Sequence, residues 1–234
     1  MNEMLWLGFA LLDLTMVLIL YRMFGRIGLF ALIVFNLLLC NIQVLKTVQL
    51  FGMTTTLGNI LYASVFLSTD LLSEFYGRKE AQKAVLLGFV TLVMMVGYMQ
   101  LSLLFKPTPD DFAQPHLEAI FGFLPRVALG SMIAYLVSQF HDVWAFHAIR
   151  EKTGERYLWL RNNASTLVSQ LLDSVIFCLI AFWGVFPGDV LLEIVATTYL
   201  MKVIVAVMDT PFIYLAKRLF PRDMDGERSH GVTA

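Results

Sequence analysis

The sequence predicts an all-α integral membrane protein, built as a bundle of six or seven transmembrane helices. The prediction rests on composition, on the length of the apolar blocks and on the distribution of basic residues. Of the 234 residues, 58% are hydrophobic and 15% are charged, and the mean hydropathy is +0.72. Soluble domains carry about 25% charged residues. Lipid is therefore expected to surround much of this chain.

The apolar residues fall in seven blocks. At about 1.5 Å of rise per residue, a helix of about 20 residues crosses about 30 Å of hydrocarbon. Each block roughly reaches that length, and the third is the shortest. The predicted spans are Met4 to Tyr21, Ile27 to Val44, Leu57 to Leu72, Ala84 to Phe105, Phe123 to Phe146, Leu167 to Phe186 and Val190 to Leu215.

The basic residues give an independent check, because cytoplasmic loops collect Lys and Arg while translocated loops do not. Most of the 17 basic residues follow spans one, three, five and seven. The other loops carry mainly neutral or acidic residues. These basic residues are Arg22, Arg26, Arg78, Lys79, Lys83, Arg150, Lys152, Arg156, Arg161, Lys217, Arg218, Arg222 and Arg228. The alternation predicts seven spans, with the N-terminus outside and the C-terminus inside.

The domain organisation is simple, since no linker or low-complexity tract is visible. We expect one transmembrane domain over residues 1–234, with an extra N-terminal helix (1–25), a core (27–216) and a cytoplasmic tail (217–234). A cleaved signal peptide is the alternative for the first span, but that span lacks a basic start and an A-x-A-like site before Arg22. After Lys106, the sequence predicts a short surface helix that Asp110 or Asp111 caps and that ends near Phe121.

Charge and cysteine usage exclude other classes. The net charge of -1 provides no basic field, so no nucleic acid partner is expected. Cys40 and Cys178 lie within apolar spans, where small buried side chains are the default interpretation. The sequence therefore predicts no cofactor and no metal site.

Ionisable residues inside the spans are the strongest indication of a site, because each costs about 2.5–3.5 kcal/mol at a helix centre. Asp173 lies about 18 Å beyond Arg161 along its helix, and Lys202 about 22 Å before Lys217. Both are therefore near the membrane interior, where an ion pair between them and a ligand contact are equally good interpretations. Asp70 and Asp142 lie in the inner third, as ligand contacts or as partners of Arg78 and Arg150.

Other polar and aromatic side chains share helix faces with these charges. Tyr62, Phe66 and Asp70 follow one stripe of span three, which suits a flat, hydrogen-bonding ligand. In span five, Gly130, Ala134 and Ser138 form a small-xxx-small row that predicts close helix packing. The candidate substrate-binding residues are Asn41, Tyr62, Phe66, Asp70, Arg126, Gln139, Asp142, Gln170, Asp173 and Lys202.

Several motifs resemble one family of membrane proteins. The run LYASVFLSTDLLSEFYG at residues 61–77 resembles the vitamin uptake transporter-like family of queuosine precursor transporters. Further segments of the same kind are Pro125-Arg126, Ser138-Gln139-x-x-Asp142, Trp159-Leu160-Arg161-Asn162-Asn163-x-Ser165-Thr166, Ser169-Gln170-x-x-Asp173, and Tyr199-x-x-Lys202 followed by Asp209-Thr210-Pro211. Their order and spacing together cover roughly residues 41–215.

The resemblance implies a multi-pass protein of the bacterial inner membrane that imports 7-deazaguanine bases. These bases, preQ0 and preQ1, are salvaged to make queuosine in transfer RNA. A carboxylate such as Asp70, Asp142 or Asp173 would accept from their N–H edge, and Gln139, Asn41 or Arg126 would donate to the carbonyl. The sequence does not choose between the neutral preQ0 nitrile and the preQ1 cation.

An enzyme and a substrate-binding subunit are the two alternatives to a transporter. The sequence has no H-E-x-x-H, G-x-S-x-G or G-x-x-x-x-G-K-[ST] motif, so we do not expect an enzyme. The family is also similar in architecture to the substrate-binding subunits of energy-coupling factor transporters. A subunit that binds another vitamin or nucleobase and needs an energising partner is therefore the alternative. Energy coupling stays open, and a homo-oligomer is compatible with the sequence.

Overall fold

The computed structural model describes residues 1–153 and 158–219. The described residues form seven α-helices and one antiparallel pair of β-strands. In chain order these elements are α1 (Asn2–Gln43), β1 (Thr47–Leu50), β2 (Met53–Thr56), α2 (Asn59–Tyr76), α3 (Arg78–Leu103), α4 (Gln114–Phe121), α5 (Leu124–Thr153), α6 (Leu158–Phe182) and α7 (Gly188–Arg218).

Helix α1 folds back on itself at Gly25 and is a helical hairpin. Gly25 has φ 55° and ψ −130°, which are not helical values. The Asn36 amide lies 3.0 Å from the Asp13 carboxylate, although 23 residues of straight helix would separate them by about 35 Å. The reversal is tight, because a Cβ on Gly28 would lie 2.4 Å from the Leu20 carbonyl oxygen. We call residues 2–24 the first arm and residues 26–43 the second arm.

Every predicted span overlaps one of these helical segments. The two arms of α1 correspond to spans one and two, and α2, α3, α5, α6 and α7 correspond to the rest. Within the described ranges, the segments Asn2–Gln43, Arg78–Leu103 and Gln114–Ser138 are long and apolar enough to cross a membrane, and Leu167–Phe182 is a shorter apolar helix. The structure thus supports a largely helical membrane protein, while the number of crossings stays a prediction.

The two β-strands are a feature that the all-α prediction missed. Leu50 pairs with Met53 across the turn residues Phe51 and Gly52, which have φ values of 53° and 77°. Two positive φ values belong to the type I′ turn that joins twisted strands. The run TVQL-FG-MTTT also contains the β-branched residues that strands favour. In the sequence, the polar residues of this run indicate only a loop between spans two and three.

The short surface helix between α3 and α5 is confirmed. Helix α4 begins at Gln114 and ends at Phe121. Just before it, the Asp111 carboxylate accepts the backbone N–H of Ala113 at 2.7 Å and that of Gln114 at 3.3 Å. These contacts satisfy donors that the first turn of a helix leaves without intrahelical partners.

Hydrophobic side chains fill the interior and also cover much of the outside. The largest core cluster joins both arms of α1 to α2, with Val17, Leu29 and Leu67 all fully buried. Large apolar side chains also lie on the surface, including Ile27 at 73% and Phe140 at 76% exposure. Soluble monomers rarely expose so many large apolar groups together. This surface suits contact with lipid.

Polar contacts mark two opposite ends of the bundle. At one end, Glu80 is 2.6 Å from Lys83 and 3.4 Å from Arg26, and these cations hold the pKa of Glu80 below its usual value. At the same end, the Glu74 carboxylate of α2 lies 2.9 Å from the Lys217 ammonium of α7.

The β-hairpin lies at the opposite end. The Asn2 side chain donates to the Gln49 carbonyl at 3.0 Å, which ties the hairpin to the first arm. The Glu193 carboxylate accepts the Thr54 N–H at 3.0 Å, and the Thr197 hydroxyl donates to the Thr54 carbonyl at 2.9 Å. The hairpin is therefore fastened both to α1 and to α7.

We expect Gly28→Ala to destabilise the protein, because the new methyl group would collide with the Leu20 carbonyl and push the two arms of α1 apart. Forcing extra volume into a tight contact typically costs about 1–3 kcal/mol. Thermal unfolding of detergent-purified protein should show a lower midpoint. Gly8→Ala in the same helix is the matched control, since a Cβ there meets no atom within 4 Å. Equal midpoints for the two variants would contradict the tight reversal.

Candidate functional site

A polar cavity lies between α1, α2, α5, α6 and α7. Its volume is about 410 Å³, including its open mouth. The lining residues are Cys40, Asn41, Val44, Gly58, Asn59, Tyr62, Ser131, Ala134, Asp173, Phe177, Thr198 and Lys202. We call it the central cavity.

The cavity wall contains a buried ion pair between α6 and α7. The Lys202 ammonium donates to Asp173 Oδ2, and Asp173 Oδ1 lies 3.4 Å from the Ser138 hydroxyl of α5. The two charged side chains are 8% and 10% exposed. The predicted Asp173–Lys202 ion pair is confirmed. An ammonium and a carboxylate, each with capacity for further hydrogen bonds, therefore stand side by side in the wall.

Two side-chain amides line the same cavity. Asn41 donates to the Leu37 carbonyl at 2.7 Å and accepts the Ser131 hydroxyl at 2.8 Å, so its orientation is fixed from both sides. Asn59 donates to the Thr56 carbonyl at 3.3 Å, at the end of the β-hairpin. An amide offers two donor hydrogens and an acceptor oxygen, so both groups keep hydrogen-bonding capacity beyond these contacts.

Tyr62 separates the central cavity from a second one. The Lys202 ammonium lies 5.4 Å from the centre of the Tyr62 ring, within the range of a cation–π contact. Tyr62 also meets Phe66 edge to face, with 5.0 Å between ring centres. The second cavity measures about 950 Å³ including open space, and its lining includes Tyr62, Phe66, Asp70, Arg78 and Tyr135. The aromatic stripe of α2 therefore borders both cavities.

The structure divides the ten predicted site residues. Asn41, Tyr62, Asp173 and Lys202 line the central cavity, while Phe66 and Asp70 line the second one. Gln170 lines neither, and its buried Oε1 has no hydrogen-bond partner within the described ranges. The side chains of Gln139 and Asp142 lie outside the described residues.

Arg126 is placed away from both cavities. Its Nε donates to the Ile180 carbonyl at 2.6 Å, and its terminal nitrogen donates to the Trp183 carbonyl. Helix α6 ends at Phe182, so Arg126 satisfies carbonyls that the last helical turn leaves without partners. The guanidinium also lies 5.7 Å from the centre of the Phe123 ring. These contacts account for Arg126 as a residue that joins α5 to α6.

The small-xxx-small row of α5 packs closely against α6, as predicted. A Cβ on Gly130 would lie 3.4 Å from the Phe177 carbonyl oxygen and 3.5 Å from the Ala181 nitrogen. This approach places Ser131 and Ser138 within reach of the cavity. The row is therefore structural, and it sets the distance between the two helices that carry Ser131 and Asp173.

Several lining residues are outside the predicted set, among them Cys40, Asn59 and Phe177. Phe177 follows Asp173 by four positions, so the two side chains lie on the same face of α6. Helical spacing from Asp173 would therefore have identified it. Cys40 directly precedes Asn41, and only the bend of α1 brings it to the cavity. Asn59 begins α2 right after the β-hairpin, which the sequence did not reveal.

Comparison with known proteins identifies the family of this chain. Residues 56–216 match the family described as "Putative vitamin uptake transporter". A "Probable queuosine precursor transporter" of Bacillus subtilis is 49% identical over 223 residues, 95% of this chain and 97% of that protein. A "Queuosine precursor transporter" of Escherichia coli is 30% identical over 188 residues, 77% of this chain and 82% of that protein.

A third relative extends the comparison. A "Probable queuosine precursor transporter" of Haemophilus influenzae is 28% identical over 137 residues, 57% of this chain and 54% of that protein. No solved structure matches the chain. The matched region spans more than half of the chain and contains most of the cavity wall from Gly58 to Lys202, so the chain belongs to the vitamin uptake transporter family.

Proposed function

We propose that this protein imports queuosine precursors, the 7-deazaguanine bases preQ0 and preQ1, across the bacterial inner membrane. The central cavity carries the proposal, because a carboxylate, an ammonium, two amides and an aromatic ring line it together. The names of the three relatives support this choice of cargo.

The chemistry of the cavity wall fits the edges of such a base. The N–H and amino edge of a deazaguanine donates hydrogen bonds, which Asp173 can accept. The ring carbonyl accepts, and Lys202 or Asn41 can donate to it. The Tyr62 ring offers a flat apolar surface for stacking. In the structure, Asp173 and Lys202 satisfy each other, so each would exchange part of that contact for the substrate.

The route through the protein follows from the two cavities. The central cavity lies next to the β-hairpin, and the second cavity lies on the other side of Tyr62. A base moving from one to the other passes Tyr62 and Phe66 and meets Asp70. Tyr62 acts as the partition, and movement of its ring and of the hairpin opens the site to one side at a time. Six of the ten predicted residues lie along this path, and they are Asn41, Tyr62, Phe66, Asp70, Asp173 and Lys202.

We place seven membrane-crossing helices in this protein, with the N-terminus outside. The bend of α1 supplies the seventh crossing. The cations Arg26, Lys83 and Lys217 gather at one end through Glu80 and Glu74, which fits a cytoplasmic face. The N-terminus and the β-hairpin lie at the other end and face the outside.

Uptake measurements test the transport function. In cells that cannot synthesise queuosine precursors, expression of this chain should give saturable entry of labelled preQ0 or preQ1. Excess unlabelled deazaguanine should compete, whereas adenine should not, because adenine has no ring carbonyl and a different donor pattern on its edge. Cells with an empty vector provide the control. Entry that rises linearly with concentration and ignores competitors would rule out this transport.

The ion pair gives a second test. Asp173→Asn or Lys202→Gln alone leaves a buried charge without its partner, which typically costs about 3–5 kcal/mol. The double variant removes both charges, so we expect it to recover most of the thermal stability. Its uptake should still be at least tenfold below that of the wild type, because the carboxylate that reads the N–H edge is gone.

The control for this test is the exposed pair formed by Glu74 and Lys217. Their side chains are 54% and 46% exposed, and such pairs contribute about 0–1 kcal/mol. Glu74→Gln should therefore leave both stability and uptake close to the wild type. Normal uptake by the Asp173 and Lys202 double variant would show that the pair is only structural.

Thiol labelling tests the orientation. A membrane-impermeant maleimide should label Asp110→Cys on intact cells, and it should label Lys79→Cys only after the membrane is permeabilised. Cys40 and Cys178 are buried, so they should contribute little background. The opposite pattern would reverse the proposed orientation, and labelling of both positions from outside would contradict the crossing by α3.

A further inference from the structure

A carboxyl group lies buried in the first arm of α1, outside both cavities. Asp13 is 8% exposed and sits about 17 Å from either end of its arm. Its Oδ1 accepts a hydrogen bond from the Asn36 amide at 3.0 Å. Its Oδ2 is inaccessible to water and has no hydrogen-bond partner among the residues that the structure describes. No cation in those residues forms an ion pair with Asp13.

Asn36 connects this carboxyl group to α2. The same amide nitrogen donates to the Ser64 hydroxyl at 2.5 Å, and that hydroxyl donates to the Leu61 carbonyl at 2.8 Å. Asn36 is 2% exposed and Ser64 is fully buried. One turn further along α2, Ser68 has a buried hydroxyl that lacks a partner in the described part of the chain. The polar row thus continues along the face of α2.

The free energy of this arrangement depends on the protonation state of Asp13. A charged carboxylate at mid-membrane depth is costly, and here one of its oxygens is buried without a hydrogen-bond partner among the described residues. A neutral carboxyl group costs far less in the same place. Asn36 directs its N–H groups at the oxygens of Asp13 and Ser64, which disfavours a metal cation between them. The ligand that suits this site is a proton on Oδ2.

The cluster lies close to the central cavity. Asn36 precedes Cys40 by one helical turn on the second arm, and Cys40 lines the cavity and lies within electrostatic range of Asp13. Ser64 follows Tyr62, the partition between the cavities, by two positions. Movement of α2 that shifts Tyr62 would therefore also change the surroundings of Asp13.

Other titratable groups lie on the elements that pack against the first arm. They include Cys40 on the second arm, Tyr62 and Asp70 on α2, and Lys202 and Asp209 on α7. None of them donates a hydrogen bond to Asp13 or accepts one from it among the residues that the structure describes. Asp13 is therefore separate from the Asp173–Lys202 pair.

We propose that Asp13 is the proton-binding site that couples import to the proton gradient. The proton binds Oδ2 from the outer side, and the O–H bond breaks again toward the inner side, once for each substrate molecule. Asn36 positions the carboxyl group through Oδ1 in both states. The proposal rests on the transport function above and adds its source of energy.

Proteoliposomes containing the full chain test this proposal. With preQ0 as the neutral probe and the membrane potential clamped at zero, an acidic exterior should drive accumulation of about tenfold per pH unit, as one coupled proton requires. A pH-sensitive dye inside the vesicles should report proton entry when preQ0 is added. Asp13→Asn should remove both effects and leave accumulation at about onefold.

The variant must still carry substrate for this result to be informative. Exchange of labelled for unlabelled preQ0, which needs no net movement of protons, measures whether Asp13→Asn still carries substrate. Asp13→Glu restores the carboxyl group and should regain proton entry. Glu3→Gln, on the same arm but at the exposed N-terminus, is the matched control and should behave like the wild type.

The outcomes separate the two proposals. If wild-type vesicles show no saturable preQ0 entry, the transport function fails, and the role of Asp13 fails with it. If entry is saturable but ignores the pH gradient and brings no proton, only the coupling proposal is overturned. Undiminished proton entry in Asp13→Asn also overturns it. If Asp13→Asn does not fold, proton entry in the wild type and its return in Asp13→Glu decide the question.

Discussion

The buried pair of Asp173 and Lys202 is the interaction on which the site depends. Two opposite charges in the interior of an apolar bundle are tolerable only while they face each other and keep their remaining hydrogen bonds satisfied. That requirement fixes α6 against α7 and brings Ser138 of α5 to the same point. Both members of the pair line the central cavity, so the contact that joins α6 to α7 is also part of the cavity wall.

The β-hairpin and the small residues of α5 adjust the rest of the structure to that pair. The Thr54 backbone is bonded to Glu193 and Thr197 at the beginning of α7, so the N-terminal end of the helix that carries Lys202 is held in place. Gly130 brings α5 close to α6 at the level of the cavity. The result is a cavity with donors and acceptors on several sides, and Tyr62 lies between it and the second cavity.

The sequence predicted the helical segments well, because span length and the positions of Lys and Arg report directly on the lipid environment. It also gave an ion pair between Asp173 and Lys202 as one of two equal interpretations, because both charges lie at similar depth, and the structure shows that pair. It could not predict the β-hairpin, whose partners on α7 are distant in sequence. Arg126 was placed with the substrate, although the exposed end of α6 offers its guanidinium nearby carbonyls, and nothing in the local pattern reveals that end.

The first arm of α1 shows how a segment without a recognised motif acquires meaning from its neighbours. On its own, Asp13 is a single costly residue in an apolar stretch, and the region matched to the family begins only at residue 56. The bend at Gly25 brings Asn36 to one of its oxygens, and α2 brings Ser64 to the same amide. Because Oδ2 of Asp13 is buried without a hydrogen-bond partner among the described residues, these contacts stabilise the carboxyl group best in its neutral form. A helix whose packing depends on protonation, placed against the helix that carries Tyr62, is physically able to link a proton to the movement of a substrate.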